Sequence, residues 1–222
     1  QYTKRGWINR NRIMSNNKIT PITLPINKGS SQLNIDQRYI ADIWPVYKNK
    51  LINKFSASYY KAKNFKDVIH LIEYIFSYKD LRLDKFLFNS IIQIKNYLDI
   101  KTKIIISSKI EDNDFYLRGE ERVINLVEAC KGTVYINLSG GKNLYSKDNF
   151  KNHGIELKFL NSDFHYDAKL FDKYIPNLSI IDLLMHNSIE EVRTILSKYS
   201  HILPTSPIQG ISRTPRLNPY IA

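Results

Sequence analysis

The chain has 222 residues, is 43% hydrophobic and carries a formal charge of +12. This length and apolar share suit one ordinary core with a small satellite lobe and exclude a disordered chain. The single cysteine, Cys130, excludes an intramolecular disulfide and fits a reducing, cytoplasmic setting.

No stretch reaches the roughly 18 consecutive apolar residues of a membrane-spanning helix, so no membrane insertion is expected. No signal peptide is visible, and an opening Gln rather than Met points to a processed or cut start.

Residues 1–35 begin polar and irregular. The alternation from Lys18 to Ile26 reads as a strand, held to a sheet edge by Pro21 and Pro25. From Asp36 to Asn53, Ile40, Ile43, Trp44, Tyr47 and Leu51 recur at helical spacing, and Pro45 is expected to kink or split the element. Two clearer helices follow, through Val68, Leu71, Ile72, Ile75 and Phe76 and through Leu87, Ile91, Ile94 and Leu98. Asp84 stands where an N-cap belongs, and the pair reads as an αα-hairpin.

The pattern changes at residue 101. Lys103 to Ser107 is a short apolar run, as in a buried strand. Arg118 to Ala129 is a helix with Val123, Leu126, Val127 and Cys130 on one stripe, which assigns Cys130 to core packing, and Gly132 is the expected left-handed residue past its end. Thr133 to Leu138 is a second strand, turned by Ser139, Gly140 and Gly141 into a short helix ending near Gly154. Ile155 to Leu160 is a third strand.

The expected fold is therefore α/β: a mostly parallel sheet with a β-α-β-α-β unit at 101–160, plus a helical subdomain at 36–99. Residues 1–200 are expected to form one domain with 36–99 inserted. A helix starts near Ser179, a capping box at Ser188 to Glu191 opens the last one, and 201–222 is a Pro-rich tail.

Three groups of residues carry candidate chemistry. The first is Tyr2, Lys4, Arg5, Trp7, Asn9, Arg10, Asn11 and Arg12, whose cations and aromatics suit phosphates and a stacked ring, against the plain alternative of a solvated terminus. Were this stretch extended, Lys4, Gly6, Ile8, Arg10 and Arg12 would share one face. The second is Ser139-Gly140-Gly141, where exposed amides at a strand's carboxyl end attract anions, although no full nucleotide fingerprint is met. The third is His165, Tyr166, Asp182 and His186. A histidine and a carboxylate four residues apart on a helix suit acid–base work, and equally a surface pair.

No cysteine–histidine set has zinc spacing, and no cofactor is implied. The positive charge admits a nucleic-acid partner. Lysine is spread over the whole chain rather than striped on one element, which disfavours it.

The opening, Gln1 to Ile13, resembles that of the WbqC-like family of bacterial proteins. Tyr59 to Phe65, Lys103 to Ser108, Arg122 to Cys130, Tyr135 to Tyr145, Phe150 to Gly154 and Pro176 to Leu184 agree in the same order, over roughly residues 1–200. Family members carry an upstream strand and a Gln-Pro…Gly-Tyr loop before this point, which is absent here. The resemblance therefore implies that part of the site and a central strand lie in residues this chain does not carry.

The resemblance also implies surface polysaccharide (O-antigen) biosynthesis: acyl or aminoacyl transfer, glycyl transfer among them, to the amine of a nucleotide-linked amino sugar. The basic N-terminal segment would bind the phosphates or base. Ser139, Gly140, Gly141 and Tyr145 would line the cleft, and His165 or the Asp182/His186 pair would act as general base. The alternatives are a non-enzymatic nucleic-acid binder and a scaffolding protein.

Overall fold

The computed structural model describes residues 2–4, 6–160, 175, 177–197 and 202–203. These form two compact units, one built from residues 1–101 and 168–194, the other from 102–167 and 195–222.

The first unit opens with an antiparallel hairpin, β1 (Arg10–Ser15) on β2 (Lys18–Thr23), with Arg10 opposite Thr23 and Ser15 opposite Lys18. Its turn is Asn16-Asn17, at φ 50° and 56°. A two-residue loop of this hand needs left-handed backbone at both positions, which asparagine tolerates, and its twist matches the strands. Pro21 is opposite Arg12, on the edge strand where a missing N–H does least harm.

The extended stretch begins only at Arg10. Before it the chain turns, with Gly6 N–H donating to Thr3 O at 2.8 Å and Arg10 N–H to Trp7 O at 3.3 Å. The shared face expected from Lys4 to Arg12 is thus confined to Arg10 and Arg12. Local hydrogen bonds within the turns have won over extension.

Three helices follow: α1 (Trp44–Tyr59), α2 (Phe65–Phe76) and α3 (Leu83–Tyr97). Pro45 lies in the first turn of α1, so it opens the helix rather than kinking it, since its absent N–H has no helical partner there anyway. Arg82, not Asp84, is at the N-cap of α3. Asp84 sits in the first turn and accepts from Arg82 Nε at 3.0 Å and from a terminal guanidinium nitrogen at 2.8 Å. The buried residues of α3 are Leu83 and Phe86, while Ile91 of the expected stripe is exposed.

Trp44 meets Phe76 and Phe86 edge-on, at 5.0 and 5.5 Å between ring centroids. Around them Ile13, Phe55, Val68, Ile72, Leu98, Leu184, Met185 and Val192 close a core that joins β1, the three helices, α6 (Ile180–His186) and α7 (Ile189–Ser197). Ser188 and Glu191 form the expected capping box at the start of α7.

The second unit contains α4 (Gly119–Ala129), β3 (Val134–Leu138), α5 (Lys147–Asn152), β4 (Glu156–Leu160) and β5 (Ile202–Leu203). β3 and β4 run parallel, Val134 opposite Glu156 and Leu138 opposite Leu160, and β5 adds antiparallel to β4. Ile124 of α4 and Phe150 of α5 pack with Leu157 and Phe159 on one face, where the Tyr135 ring stacks on Phe150 at 5.5 Å. On the other face Val134, Ile136 and Leu138 are exposed, between 40% and 51%.

The architecture thus mixes helices with two small sheets, and the longer parallel sheet expected at 101–160 is not among the described residues. Its first strand, Lys103 to Ser107, pairs with nothing there. Ile105 is 47% exposed, and the chain turns into a 3-10 segment at Ser107–Lys109, where Asn113 Nδ2 donates to Ser107 O at 2.8 Å. A run pulled into a turn at one end has too little extended length for a ladder.

Cys130 is also misplaced by the periodicity, for it is exposed at the C-cap of α4 rather than packed in the core. The left-handed residue that ends this helix is Lys131, at φ 54°. Gly132 serves close approach instead, because a Cβ there would meet Val127 Cγ1 at 2.9 Å. Of the Pro-rich tail expected from 201, Ile202 and Leu203 pair with β4, and 204–222 lie outside the described residues.

Candidate functional site

The first group of candidates gathers on β1 and the turns before it. The backbone of β1 is held on its outer edge by Ser179 N–H donating to Arg12 O at 2.7 Å and by Met14 N–H donating to Tyr59 Oη at 3.2 Å. Tyr59 in turn donates to Asp182 Oδ1 at 2.7 Å. Burial, and then the neighbouring Asp182 carboxylate, raises the Tyr59 phenol far above its ordinary range, so the hydroxyl stays protonated and holds this bridge.

Arg12 is half-buried. One terminal guanidinium nitrogen donates to Asn177 O at 3.0 Å, and the guanidinium carbon lies 4.8 Å from the centre of the Trp7 ring. Its Nε is buried with no hydrogen-bond partner. Trp7 is 56% exposed, so the indole is available beyond the stack. Among the described residues no carboxylate pairs with Arg10 or Arg12. A guanidinium stacked on an aromatic face and free of a counter-ion is pre-set for an oxyanion and a planar ring.

Asn9 has a different job. It is buried, accepts from the Tyr2 hydroxyl at 3.0 Å and donates to Leu24 O at 2.9 Å. Both ends of its amide are therefore spent holding the N-terminal turns to the hairpin. Asn11 and Lys4 are exposed, and Asn11 Oδ1 accepts from the Arg12 N–H at 2.8 Å. Arg5 lies outside the described residues, as do His165 and Tyr166.

Asp182 and His186 share α6, but the hydrogen bond found for the Asp182 carboxylate is the one from Tyr59. His186 is exposed and meets the Tyr59 ring edge-on at 5.8 Å. Tyr59 thus stands between the two residues that helical spacing suggested as a pair.

The Ser139-Gly140-Gly141 turn belongs to the second unit. It forms a 3-10 segment, Ser139–Leu144, and α5 starts only at Lys147. The Ser146 side chain caps α5 by accepting from Asn149 N–H at 3.3 Å. Glu120 accepts from Ser146 N–H at 2.6 Å, and Glu121 accepts from the Asn149 side chain at 3.1 Å. Two carboxylates therefore already occupy this helix start. At Gly141 an added Cβ would come 2.5 Å from Asn137 Nδ2, so that side chain would have to turn aside. Tyr145 is half-buried and packs edge-on to Tyr135 and Phe150 at 5.9 Å each.

Two contributors escape sequence reading. Tyr59 falls on the apolar stripe of α1, and only its tertiary partner Asp182 reveals a polar task. Arg38 is buried at 6% exposure, with its guanidinium carbon 4.1 Å from the Tyr2 ring centre. No periodicity marks it. Among the described residues no cluster of His, Cys, Asp and Glu could hold a metal ion, and no helix is long and apolar enough to cross a membrane. A cleft of about 410 Å³ at the end of α2 is lined by Tyr74, Ser77, Tyr78, Lys79, Asp80 and Asn89, none of them a candidate above.

The N-terminal segment, β1 and its supports on α1 and α6 all fall within the region that matches the model of the WbqC-like protein family, which spans residues 1–194. The chain is 28% identical over 198 residues to a protein of Mycobacterium tuberculosis (strain ATCC 25618 / H37Rv) named "Uncharacterized protein Rv1507c", covering 86% of this chain and 81% of that one. No solved structure matches it. With a family match that runs from the hairpin through α6 and most of α7, the chain belongs to the WbqC-like protein family.

Proposed function

We propose that the Trp7–Arg12 edge of the hairpin holds the phosphate and ring portions of a nucleotide-linked amino sugar. The protein would then be a transferase of bacterial surface polysaccharide biosynthesis, moving an acyl or aminoacyl group onto the sugar amine. The observation that carries this reading is Arg12, with Nε buried and unpaired, its guanidinium stacked on a half-exposed indole, and no carboxylate partner among the described residues. The positive charge and the terminal nitrogen not spent on Asn177 suit a phosphoryl oxygen, while Trp7 offers a π-face to a base.

In the chemical step the sugar amine attacks the acyl carbonyl and loses a proton as the donor's leaving group departs. His186 is the described base next to Tyr59 and takes that proton. Asp182 acts through Tyr59, by holding β1 in register.

Calorimetry with a panel of nucleotide sugars tests it. Arg12→Ala is expected to weaken binding by about tenfold or more, the range of one lost charge-assisted contact. Binding unchanged in Arg12→Ala and Trp7→Ala sinks the assignment. A generic oligonucleotide is the control: affinity falling steeply with salt would instead favour a nucleic-acid binder.

A further inference from the structure

Arg38 is a buried cation that the Trp7–Arg12 edge does not explain. The residue is 6% exposed, yet among the described residues no carboxylate pairs with it. One terminal nitrogen donates to Ser30 O at 2.8 Å, the Tyr2 ring covers the guanidinium at 4.1 Å, and Nε is buried without a partner. A guanidinium taken out of water carries a desolvation penalty that one carbonyl and one ring face do not offset. A core clamp needs no charge at this position.

The loop over it has the composition of an anion cradle. Lys28, Gly29, Ser30 and Ser31 are all exposed. At Gly29 a side-chain carbon would collide with Leu33 Cδ1 at 2.9 Å and stand 3.9 Å from a terminal nitrogen of Arg38. The guanidinium end therefore lies directly beneath loop backbone that carries no side chain there. The Ser30 hydroxyl accepts from Gln32 N–H at 3.2 Å, which fixes the loop's curvature.

We propose that Arg38 and the 28–31 loop form a phosphate-binding site. The ligand is a phosphoryl oxyanion, held by the Arg38 terminal nitrogen nearest Gly29 and by the Lys28 ammonium. Phosphate fits better than a carboxylate because donors approach from several directions, and a tetrahedral dianion offers acceptors to all of them. The site stands apart from the Trp7–Arg12 reading and does not depend on it.

The test is thermal unfolding of the whole chain in sodium phosphate and in sodium chloride at equal ionic strength. Wild type and Trp7→Ala/Arg12→Ala are each expected to gain about 3 °C or more in Tm from phosphate, by linkage. Adding Arg38→Met to the Trp7→Ala/Arg12→Ala protein should abolish that gain. A parallel titration with a nucleoside diphosphate distinguishes free phosphate from a phosphate ester as the natural ligand, by which of the two saturates at lower concentration. If Arg38→Met does not fold, amide resonances of wild-type Gly29, Ser30 and Ser31 followed through the phosphate titration decide the question. Shifts in that loop support the site. No gain in the Trp7→Ala/Arg12→Ala protein, an equal gain once Arg38→Met is added, or no shifts in that loop overturns it and leaves Arg38 as a structural clamp.

Discussion

The two units treat their strands differently. In the first, β1 is covered by helices on its inner face, with Ile13 fully buried, and its outer edge is tied down by Tyr59 and Ser179. In the second, β3 is packed on one face only, leaving Val134, Ile136 and Leu138 exposed. On β1 Ile13 is locked in the core and the backbone is pinned by hydrogen bonds, whereas the side chains on the outer face of β3 are open to solvent. Ligand recognition needs donors fixed in place, which favours the hairpin over the Ser139-Gly140-Gly141 turn.

The sharpest way to break this comparison is to hollow the first unit's core. Phe55→Ala is expected to cost about 3–5 kcal/mol, measured by denaturant unfolding, since the ring is 1% exposed among aromatic neighbours. Asp182→Ala should cost about 1–3 kcal/mol, because it leaves the buried Tyr59 hydroxyl without its acceptor. Gly141→Ala is expected to cost about 1 kcal/mol by the same measurement, with the Asn137 side chain displaced by the new Cβ. Ile136→Lys, on the open face of β3, should change stability by no more than about 0.5 kcal/mol. A large loss there would mean that this face is covered after all.

Alkaline pH sharpens the same point at Tyr59. The phenol's folded value is raised above its ordinary 10.0, chiefly by burial and then by Asp182. Stability from this group is complete below pH 10 and is lost above it, as the unfolded chain ionises first. Tyr59→Phe is expected to be less stable at neutral pH and to fall less steeply above pH 10, as read from unfolding midpoints across that range. Equal slopes in both proteins would remove the Tyr59–Asp182 bridge from the account.

Local patterns made parts of this molecule readable. The 3.6-residue stripe of α2 predicts its buried Val68, Ile72 and Ile75, and the Ser188–Glu191 capping box appears as read. β3, β4 and their parallel pairing follow from two apolar runs separated by a helix. Errors arose where one residue could serve two ends. Pro45 starts a helix as well as it breaks one, Cys130 continues a stripe as well as it caps it, and three isoleucines at 104–106 spell a strand that found no partner among the described residues. Each of these outcomes turns on what lies opposite in space.

By itself the sequence determined the family, most of the helices, the two parallel strands and the cation-rich start that includes Arg10 and Arg12, because these depend on residue type and near-neighbour spacing. Only the tertiary structure decided which polar groups are spent and which are free. Asn9 is consumed by Tyr2 and Leu24, Asp182 by Tyr59, and the start of α5 by Glu120 and Glu121. Arg12 and Arg38 keep a buried donor unpaired. Whether a charge is satisfied depends on partners brought from far along the chain, such as Asp182 from 123 residues beyond Tyr59, and spacing along the sequence carries no record of them.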